Sequence, residues 1–155
     1  MDNIYKDGQG VLIFDGEVTE IGESAFFDCS SLTSITIPNN ATVLRNNAFA
    51  NCSSLESAFI PNGIRSIQDG TFGSCTNLTS VNIPDSVTSI GYGAFSFCSN
   101  LSSVTLSNGV TSIDYNAFCG CSALVFITIP ISVKYIGNGA FSDTNLRFIT
   151  YKGTQ

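Results

Sequence analysis

Residues 78–101 read LTSVNIPDSVTSIGYGAFSFCSNL, and the same pattern returns along the chain every 23 residues. Three residue types repeat independently with this spacing. The cysteines are Cys29, Cys52, Cys75, Cys98 and Cys121, the phenylalanines are Phe26, Phe49, Phe72, Phe95, Phe118 and Phe141, and the leucines are Leu32, Leu55, Leu78, Leu101 and Leu124. A proline series at 38, 61, 84 and 130 is broken by Ser107. A single period shared by independent series indicates stacked repeats.

The period divides the chain into units of one repeat domain spanning residues 1–155. Residues 1–20 form a partial repeat, residues 21–135 form five full repeats, and residues 136–155 form a degenerate last repeat. In the partial repeat, Leu12, Phe14 and Val18 take the positions of Val81, Ile83 and Val87. In the last repeat, Thr144 takes the cysteine position and Leu146 arrives one residue early. Divergent terminal units are expected in stacked arrays.

Each unit combines two hydrophobic periodicities. Residues 80–83 alternate polar and apolar, which predicts a short strand with Val81 and Ile83 facing inward. The inward residues of 90–98 fall at i, i+4, i+5 and i+8, which predicts a short helical or 3₁₀ turn on the other side. Stacked units would then align their strands in a parallel ladder, about 4.8 Å apart. The predicted fold is a repeat solenoid with a strand-lined face and a helical-turn face.

Residues 90–101, of the form I-G-x-x-A-F-x-x-C-x-x-L, and residues 83–90, of the form I-P-x-x-V-x-x-I, resemble the BspA-like leucine-rich repeats. The resemblance covers about residues 10–152. It implies a leucine-rich-repeat solenoid and a surface or secreted protein that takes part in adhesion to host matrix proteins or in cell–cell contact. The family brings no catalytic residue and no cofactor.

Composition argues against several other classes of function. The chain carries a net charge of −6 with six basic residues and no basic cluster, so binding to nucleic acid is not expected. No apolar stretch is long enough to span a membrane. Histidine is absent, which removes nucleophilic catalysis that relies on it and, with no C-x-x-C pair, argues against a zinc site. We therefore expect no enzyme activity, metal or cofactor.

The location in the cell is less constrained by the sequence. The first residues lack the basic region and apolar run of a secretory signal. The resemblance implies the cell surface or secretion, and a cytoplasmic protein is left open. Seven of the twelve acidic residues lie within the first 28 residues, which is typical of a solvated end and is favoured here over a cation site.

The five regularly spaced cysteines are expected to be buried free thiols. Their position faces the core and accepts Thr144, and free cysteine packs as a small hydrophobe. Side chains stacked in register also rarely reach disulfide torsions. The sixth, Cys119, shares its position in the repeat with Phe27, Ala50 and Ser96, and is expected to be less buried.

The outward positions of the predicted strands carry mostly Ser and Thr, which suits a solvated sheet surface. Phe126 and Phe148 are exceptions that share one outward position in neighbouring repeats, beside Val125 and Arg147. Phe59 is a third outward aromatic residue, nearer the N-terminus. Exposed aromatic residues beside an arginine are typical of protein interfaces, so these five residues are the predicted protein-binding site. The alternative is that they pack under further repeats or a cap.

The repeat pattern and its outward residues are compatible with two functions. The first is a non-catalytic interaction module that binds a protein, such as an extracellular-matrix or host surface protein, through the strand-lined face. The second is a structural spacer or assembly module without a specific ligand on its faces. The ladder would have open edges near 11–14 and 149–152, which permits end-to-end self-association.

Overall fold

The computed structural model describes residues 10–12 and 17–152 and shows a parallel β-solenoid of about six turns. Its strands lie on two sides of the coil. The longer ones are β1 (Gly10–Leu12), β3 (Leu32–Thr36), β5 (Ser57–Phe59), β7 (Ser80–Ile83), β9 (Ser103–Leu106), β11 (Phe126–Pro130) and β13 (Phe148–Lys152). Two-residue strands alternate with them: β2 (Glu20–Ile21), β4 (Val43–Leu44), β6 (Ser66–Ile67), β8 (Ser89–Ile90), β10 (Ser112–Ile113) and β12 (Tyr135–Ile136). The predicted solenoid with a parallel ladder is confirmed.

The longer strands form the strand-lined face. Strands β1, β3, β5, β7 and β9 pair in that order, and Ser57, Ser80 and Ser103 lie side by side, as the 23-residue period requires. Leu12 pairs with Ile35 in the register that the repeat predicts, whereas Phe14 lies outside the described residues. Strand β13 pairs with β11 through Phe126 and Phe148, a step of 22 residues. This shorter step agrees with the early position of Leu146 in the last repeat.

The strand-lined face contains one interruption. Strand β9 ends the five-stranded sheet, β11 begins a separate two-stranded sheet, and no strand pairing joins them although both lie in the described part of the chain. We call this boundary between β9 and β11 the seam. Leu106 is half-buried beside it, whereas Ile83 and Ile129, at the same position in the flanking repeats, are 0% and 1% exposed. At the seam, the edge of the hydrophobic core is therefore partly exposed on the strand-lined face.

The core consists of identical side chains stacked along the axis. Successive rings from Phe26 to Phe141 are parallel, with centroids 5.2–5.4 Å apart. Cys52, Cys75, Cys98 and Cys121 are fully buried free thiols, as predicted, and Cys29 in the first full repeat is only partly buried. Cys119 is also partly exposed, as expected from its position. Burial of these stacked rings supplies the main apolar driving force for folding.

The predicted helical turns are wrong, because residues 17–152 contain no helix. Within one repeat, the N–H groups of Ala94, Ser96 and Cys98 do bond to the carbonyl three residues earlier. The N–H groups between them point to the next repeat instead, as Phe95 does to the Ala117 carbonyl at 2.8 Å. Two residues in each repeat adopt the left-handed backbone conformation with positive φ, for example Gly93 (φ 56°) and Phe97 (φ 58°). These residues interrupt the run of right-handed residues that a helix requires.

We call this side of the coil the turn face. The same inter-repeat bond, from the phenylalanine N–H to the alanine or threonine carbonyl of the next repeat, occurs from Phe26 to Phe118 at 2.8 Å each. The turn face is thus a second continuous ladder of backbone hydrogen bonds. It runs past the seam without a break, because Phe95 bonds to Ala117 across the same repeat boundary.

Candidate functional site

The predicted protein-binding residues lie on the strand-lined face and are exposed. Phe126 and Phe148 are 51% and 63% exposed, and they are directly paired on β11 and β13. Val125 is 41% exposed, and Arg147 is also exposed. The Arg147 N–H donates to the Val125 carbonyl at 2.9 Å, which holds these two residues side by side. The structure therefore brings four of the five predicted residues together, and we call these four the aromatic patch.

Phe59 does not belong to the aromatic patch. It is 55% exposed on β5 and pairs with Thr36 of β3. Strands β7 and β9 lie between β5 and the seam, so Phe59 occupies a separate part of the same face. A partner that contacts both Phe59 and the aromatic patch would have to cover most of the strand-lined face.

Hydroxyl groups around the patch bond mainly within the sheet. The hydroxyls of Thr128 and Thr150 lie 2.9 Å apart on neighbouring strands, and the Ser102 hydroxyl donates to the Thr79 carbonyl at 3.3 Å. Such bonds are what a solvated sheet surface requires of Ser and Thr. They leave the aromatic rings, rather than the hydroxyl groups, as the distinctive feature of the face.

A groove of about 440 Å³ runs along the seam beside the aromatic patch. Phe126 forms part of its wall, and Val104, Leu106 and Pro130 supply apolar surface within it. Ser102, Ser103, Thr105 and Thr128 add hydroxyl groups to its rim. The aromatic patch and the groove are thus continuous through Phe126, and together they offer an apolar surface with a concave and a flat part.

The sequence did not predict the groove. It arises because two strands in consecutive repeats fail to pair, and neither strand departs from the repeat in its inward residues. One signal does coincide with it, since Ser107 replaces proline directly after β9. The exposed aromatic residues Phe27 and Phe97 of the turn face were also missed, because the predicted helical turn gave no outward assignment for them.

Residues 17–152 hold no group of three or more Cys, Asp or Glu side chains placed to bind a metal ion. Among the same residues, none belongs to a helix that is both long and apolar enough to cross a bilayer.

Comparison with known proteins identifies the family. The sequence model of the BspA type leucine rich repeat region matches residues 10–99 and 42–155 with six copies. The chain therefore belongs to the BspA-type leucine-rich-repeat family, as its repeat pattern predicted. No curated protein matches the chain.

Three solved structures illustrate the relationship. A leucine rich cell surface protein from Faecalibacterium prausnitzii A2-165 is 40% identical, with a TM-score of 0.77, over 88% of this chain and 37% of that one. The pneumococcal vaccine antigen PcpA is 27% identical, with a TM-score of 0.79, over 96% of this chain and 42% of that one. A leucine-rich repeat protein from Bacteroides capillosus is 32% identical, with a TM-score of 0.56, over 97% and 91%. The chain thus spans about two fifths of the first two proteins.

Proposed function

We propose that the chain is a non-catalytic module that binds a protein through its strand-lined face, at the cell surface or outside the cell. The observation that carries this proposal is the pairing of Phe126 with Phe148, both more than half exposed, beside Arg147. Aromatic residues and arginine dominate the energetics of protein interfaces. The aromatic patch, with Phe59 as a second contact, is the proposed site.

The surroundings of the aromatic patch suit a binding surface. Backbone pairing of β11 with β13 fixes both rings on a rigid sheet, so little conformational freedom is lost when a partner binds. The groove at the seam adds a concave apolar surface that can receive a protruding side chain of the partner. Arg147 supplies the only charge of the patch, which favours a partner with an apolar epitope beside a carboxylate.

The relatives support the proposed location. The F. prausnitzii protein is a cell surface protein and PcpA is a vaccine antigen, and both contain the repeat fold of this chain. We therefore propose adhesion to an extracellular-matrix or host surface protein as the biological role. The repeat family and fold support a role without catalysis.

The test is binding of the purified chain to an array of matrix and cell-surface proteins. We expect saturable binding that the Phe126→Ser, Phe148→Ser double variant loses. Phe97→Ser is the matched control, because Phe97 is 57% exposed but lies on the turn face. Circular dichroism establishes that each variant is folded. Binding that survives in a folded double variant would refute the aromatic patch as the site.

A structural or assembly module is the second candidate, and the exposed apolar residues of β13 favour it. Ile149 and Tyr151 continue the inward positions of Ile127 and Ile129, yet they are 53% and 71% exposed. Such apolar surface is suited to contact with another protein segment. Sedimentation of the wild-type chain against an Ile149→Lys, Tyr151→Lys variant tests this role. Association that only the wild type shows, without any binding on the array, would favour assembly over adhesion.

A further inference from the structure

The turn face carries a second groove, separate from the aromatic patch. It has a volume of about 470 Å³ and extends over four successive repeats, from Phe27 to Tyr92. Its floor consists of Ala50, Gly73 and Ser96, which occupy one repeat position and are all small. Phe27 precedes them at the same position, so the floor begins where a large side chain gives way to small ones. The volume lies within the range typical of sites for small ligands.

The floor of this groove is held rigidly by the inter-repeat ladder. The Asn51 N–H donates to the Gly73 carbonyl at 2.8 Å, and the Ser74 N–H donates to the Ser96 carbonyl at 2.7 Å. The Asn47 N–H donates in the same way to the Asp69 carbonyl at 2.8 Å. The groove is therefore formed before any ligand arrives, which lowers the entropic cost of binding.

The polar side chains of the groove include three asparagine amides, two serine hydroxyls and one carboxylate. Asn46, Asn47 and Asn51 line it, and no hydrogen bond within the described residues engages their side-chain amides. Each amide offers two donors and one acceptor oxygen. Asp69 also lines the groove, and its Oδ1 accepts a hydrogen bond of 2.9 Å from the Tyr92 N–H, which fixes the carboxylate beside the ring.

Two exposed aromatic rings bound the groove. Phe27 is 49% exposed and Tyr92 is 55% exposed. Contact of a large aromatic ring with water is unfavourable, and covering the ring with another apolar surface lowers the free energy. Rings at the ends of a polar groove offer flat apolar surfaces to a ligand whose other edges form hydrogen bonds.

This lining discriminates between classes of ligand. Among the residues that the structure describes, no Lys or Arg lines the groove and Asp69 contributes a carboxylate, so an anionic ligand is disfavoured. An extended peptide binds chiefly by main-chain hydrogen bonds to an open sheet edge, and here the donors at Asn47, Asn51 and Ser74 are already used within the ladder. A neutral ligand rich in hydroxyl groups, with flat C–H surfaces, satisfies both the amides and the rings.

We propose that the groove of the turn face binds a neutral oligosaccharide. Its pyranose rings lie against Phe27 and Tyr92, and its hydroxyl groups bond to the amides of Asn46, Asn47 and Asn51 and to Asp69. The floor residues Ala50, Gly73 and Ser96 belong to successive repeats, so the groove lies along the solenoid axis. The oligosaccharide therefore runs along the solenoid axis, with successive units over successive repeats.

This site is independent of the proposed protein-binding face, because it uses different residues on a different side of the coil. A chain with both sites binds a glycan and a protein at once. Failure of either proposal leaves the other intact.

The test is titration with a panel of neutral oligosaccharides of glucose, galactose, mannose and N-acetylglucosamine, followed by NMR of the backbone and side-chain amides. We expect one or more of these sugars to shift the side-chain amide signals of Asn46, Asn47 and Asn51 in a saturable way. Tyr92→Ala is expected to weaken that binding by about tenfold or more. Tyr135→Ala is the matched control, because Tyr135 is exposed on β12 and does not line the groove.

A second variant guards against loss of the fold. Ala50→Phe fills the groove from a repeat position that already carries phenylalanine at Phe27, and we expect it to abolish sugar binding in a folded protein. The proposal is overturned if no sugar of the panel shifts the three asparagine signals. It is equally overturned if folded Ala50→Phe and Tyr92→Ala variants bind as the wild type does.

Discussion

At the scale of single residues, the buried thiols are more than space-filling groups. The Cys75 thiol donates to the Phe49 carbonyl at 3.2 Å, and the Cys98 thiol donates to the Phe72 carbonyl at 3.1 Å. Each thiol thereby links its own repeat to the phenylalanine of the repeat before it. Thr144, at the same position in the last repeat, instead bonds to the Phe141 carbonyl within its own repeat. The cysteine position was predicted from its spacing, but this link between repeats required the structure.

These thiols predict a loss of stability at alkaline pH. Burial raises the pKa of both Cys52 and Cys121 from the ordinary 9.0 to about 12, because it removes water from the thiolate. The unfolded chain then loses these protons above pH 9.0 while the folded chain keeps them, so the free energy of unfolding falls as pH rises from 9.0 towards 12. Below pH 9.0 this contribution is fully present.

Urea unfolding across this pH range measures the effect. We expect the Cys52→Ala, Cys121→Ala variant to lose stability less steeply with pH than the wild type, whatever its stability at neutral pH. Cys119→Ala, which removes a partly exposed thiol, is expected to change the slope less. Equal slopes for the wild type and the double variant would show that the thiols of Cys52 and Cys121 do not cause the loss of stability at alkaline pH.

At the scale of the elements, the turn face shows where prediction from the sequence succeeded and where it failed. Ile90, Ala94, Phe95 and Cys98 were predicted to face inward, and all are 0% exposed. The same spacing of inward residues fits a helix and a chain of turns, so it could not distinguish them. The distinguishing signal is the first of the two left-handed positions of each repeat, which carries Ser24, Asn47, Gly70, Gly93, Asn116 and Gly139. Asn and Gly tolerate this conformation more readily than other residues.

Phe97 departs from that rule in a way that the repeat pattern does not explain. It adopts φ 58° at a position that carries Asp28, Asn51, Ser74, Gly120 and Asp143 in the other repeats. A bulky residue in this conformation is strained by about 1–2 kcal/mol. A Cβ on Gly120 would lie 2.7 Å from the Phe97 ring, so the ring covers the next repeat at a point where only glycine fits.

Because successive turns pack closely, we expect alanine substitutions of two glycines at the same repeat position to change the stability by different amounts. A Cβ on Gly91 would lie 2.9 Å from the backbone N of Asp69, whereas a Cβ on Gly22 would meet no atom of the described residues within 4 Å. We expect Gly91→Ala to lower the free energy of unfolding by about 1–3 kcal/mol, the usual cost of overpacking. Gly22→Ala is expected to change it by about 0.5 kcal/mol or less. Chemical denaturation measures both, and equal effects would show that the turns are not packed this closely.

At the scale of the whole molecule, each repeat contacts only its neighbours, so stability is distributed along the axis. Phe49, Phe72, Phe95 and Phe118 are fully buried, whereas Phe26 and Phe141 at the two ends of the same stack are only partly buried. Ile136 shows the same effect, since it is 40% exposed while Ile113, one repeat earlier, is 0% exposed. The sequence predicted the stack itself, but the loss of burial towards its ends depends on which neighbours are present.

This decrease in burial towards the ends of the stack predicts different rates of amide hydrogen exchange for equivalent N–H groups in different repeats. The Phe26 and Phe72 N–H groups donate to the Ala48 and Ala94 carbonyls at the same distance, 2.8 Å. We expect Phe72 to exchange more slowly, because opening its turn disrupts packing on both sides, whereas Phe26 lies in the first full repeat. NMR-detected exchange measures the two rates. Similar rates would indicate that the repeats open together as one cooperative unit.

The candidate sites were predictable only in part. The sequence assigned Val125, Phe126, Arg147 and Phe148 to one outward surface, because strand alternation and the repeat period place them there. It could not assign the grooves, because a groove depends on distances between repeats rather than on the pattern within one. At the seam, the inward residues keep the repeat pattern although β9 and β11 do not pair. On the turn face, small side chains form a floor only once three repeats are stacked.

The seam also has a mechanical consequence for a chain that is pulled along its axis. From β3 to β9, the strands of the strand-lined face are paired. A pulling force there is carried on both sides of the coil, by the strand ladder and by the turn-face ladder. Between β9 and β11 the turn-face ladder carries a larger part of the load. Traction would therefore open the strand-lined face at this boundary while the turn-face ladder and the pairing of β10 with β12 hold the two repeats together, and it would widen the groove beside Phe126.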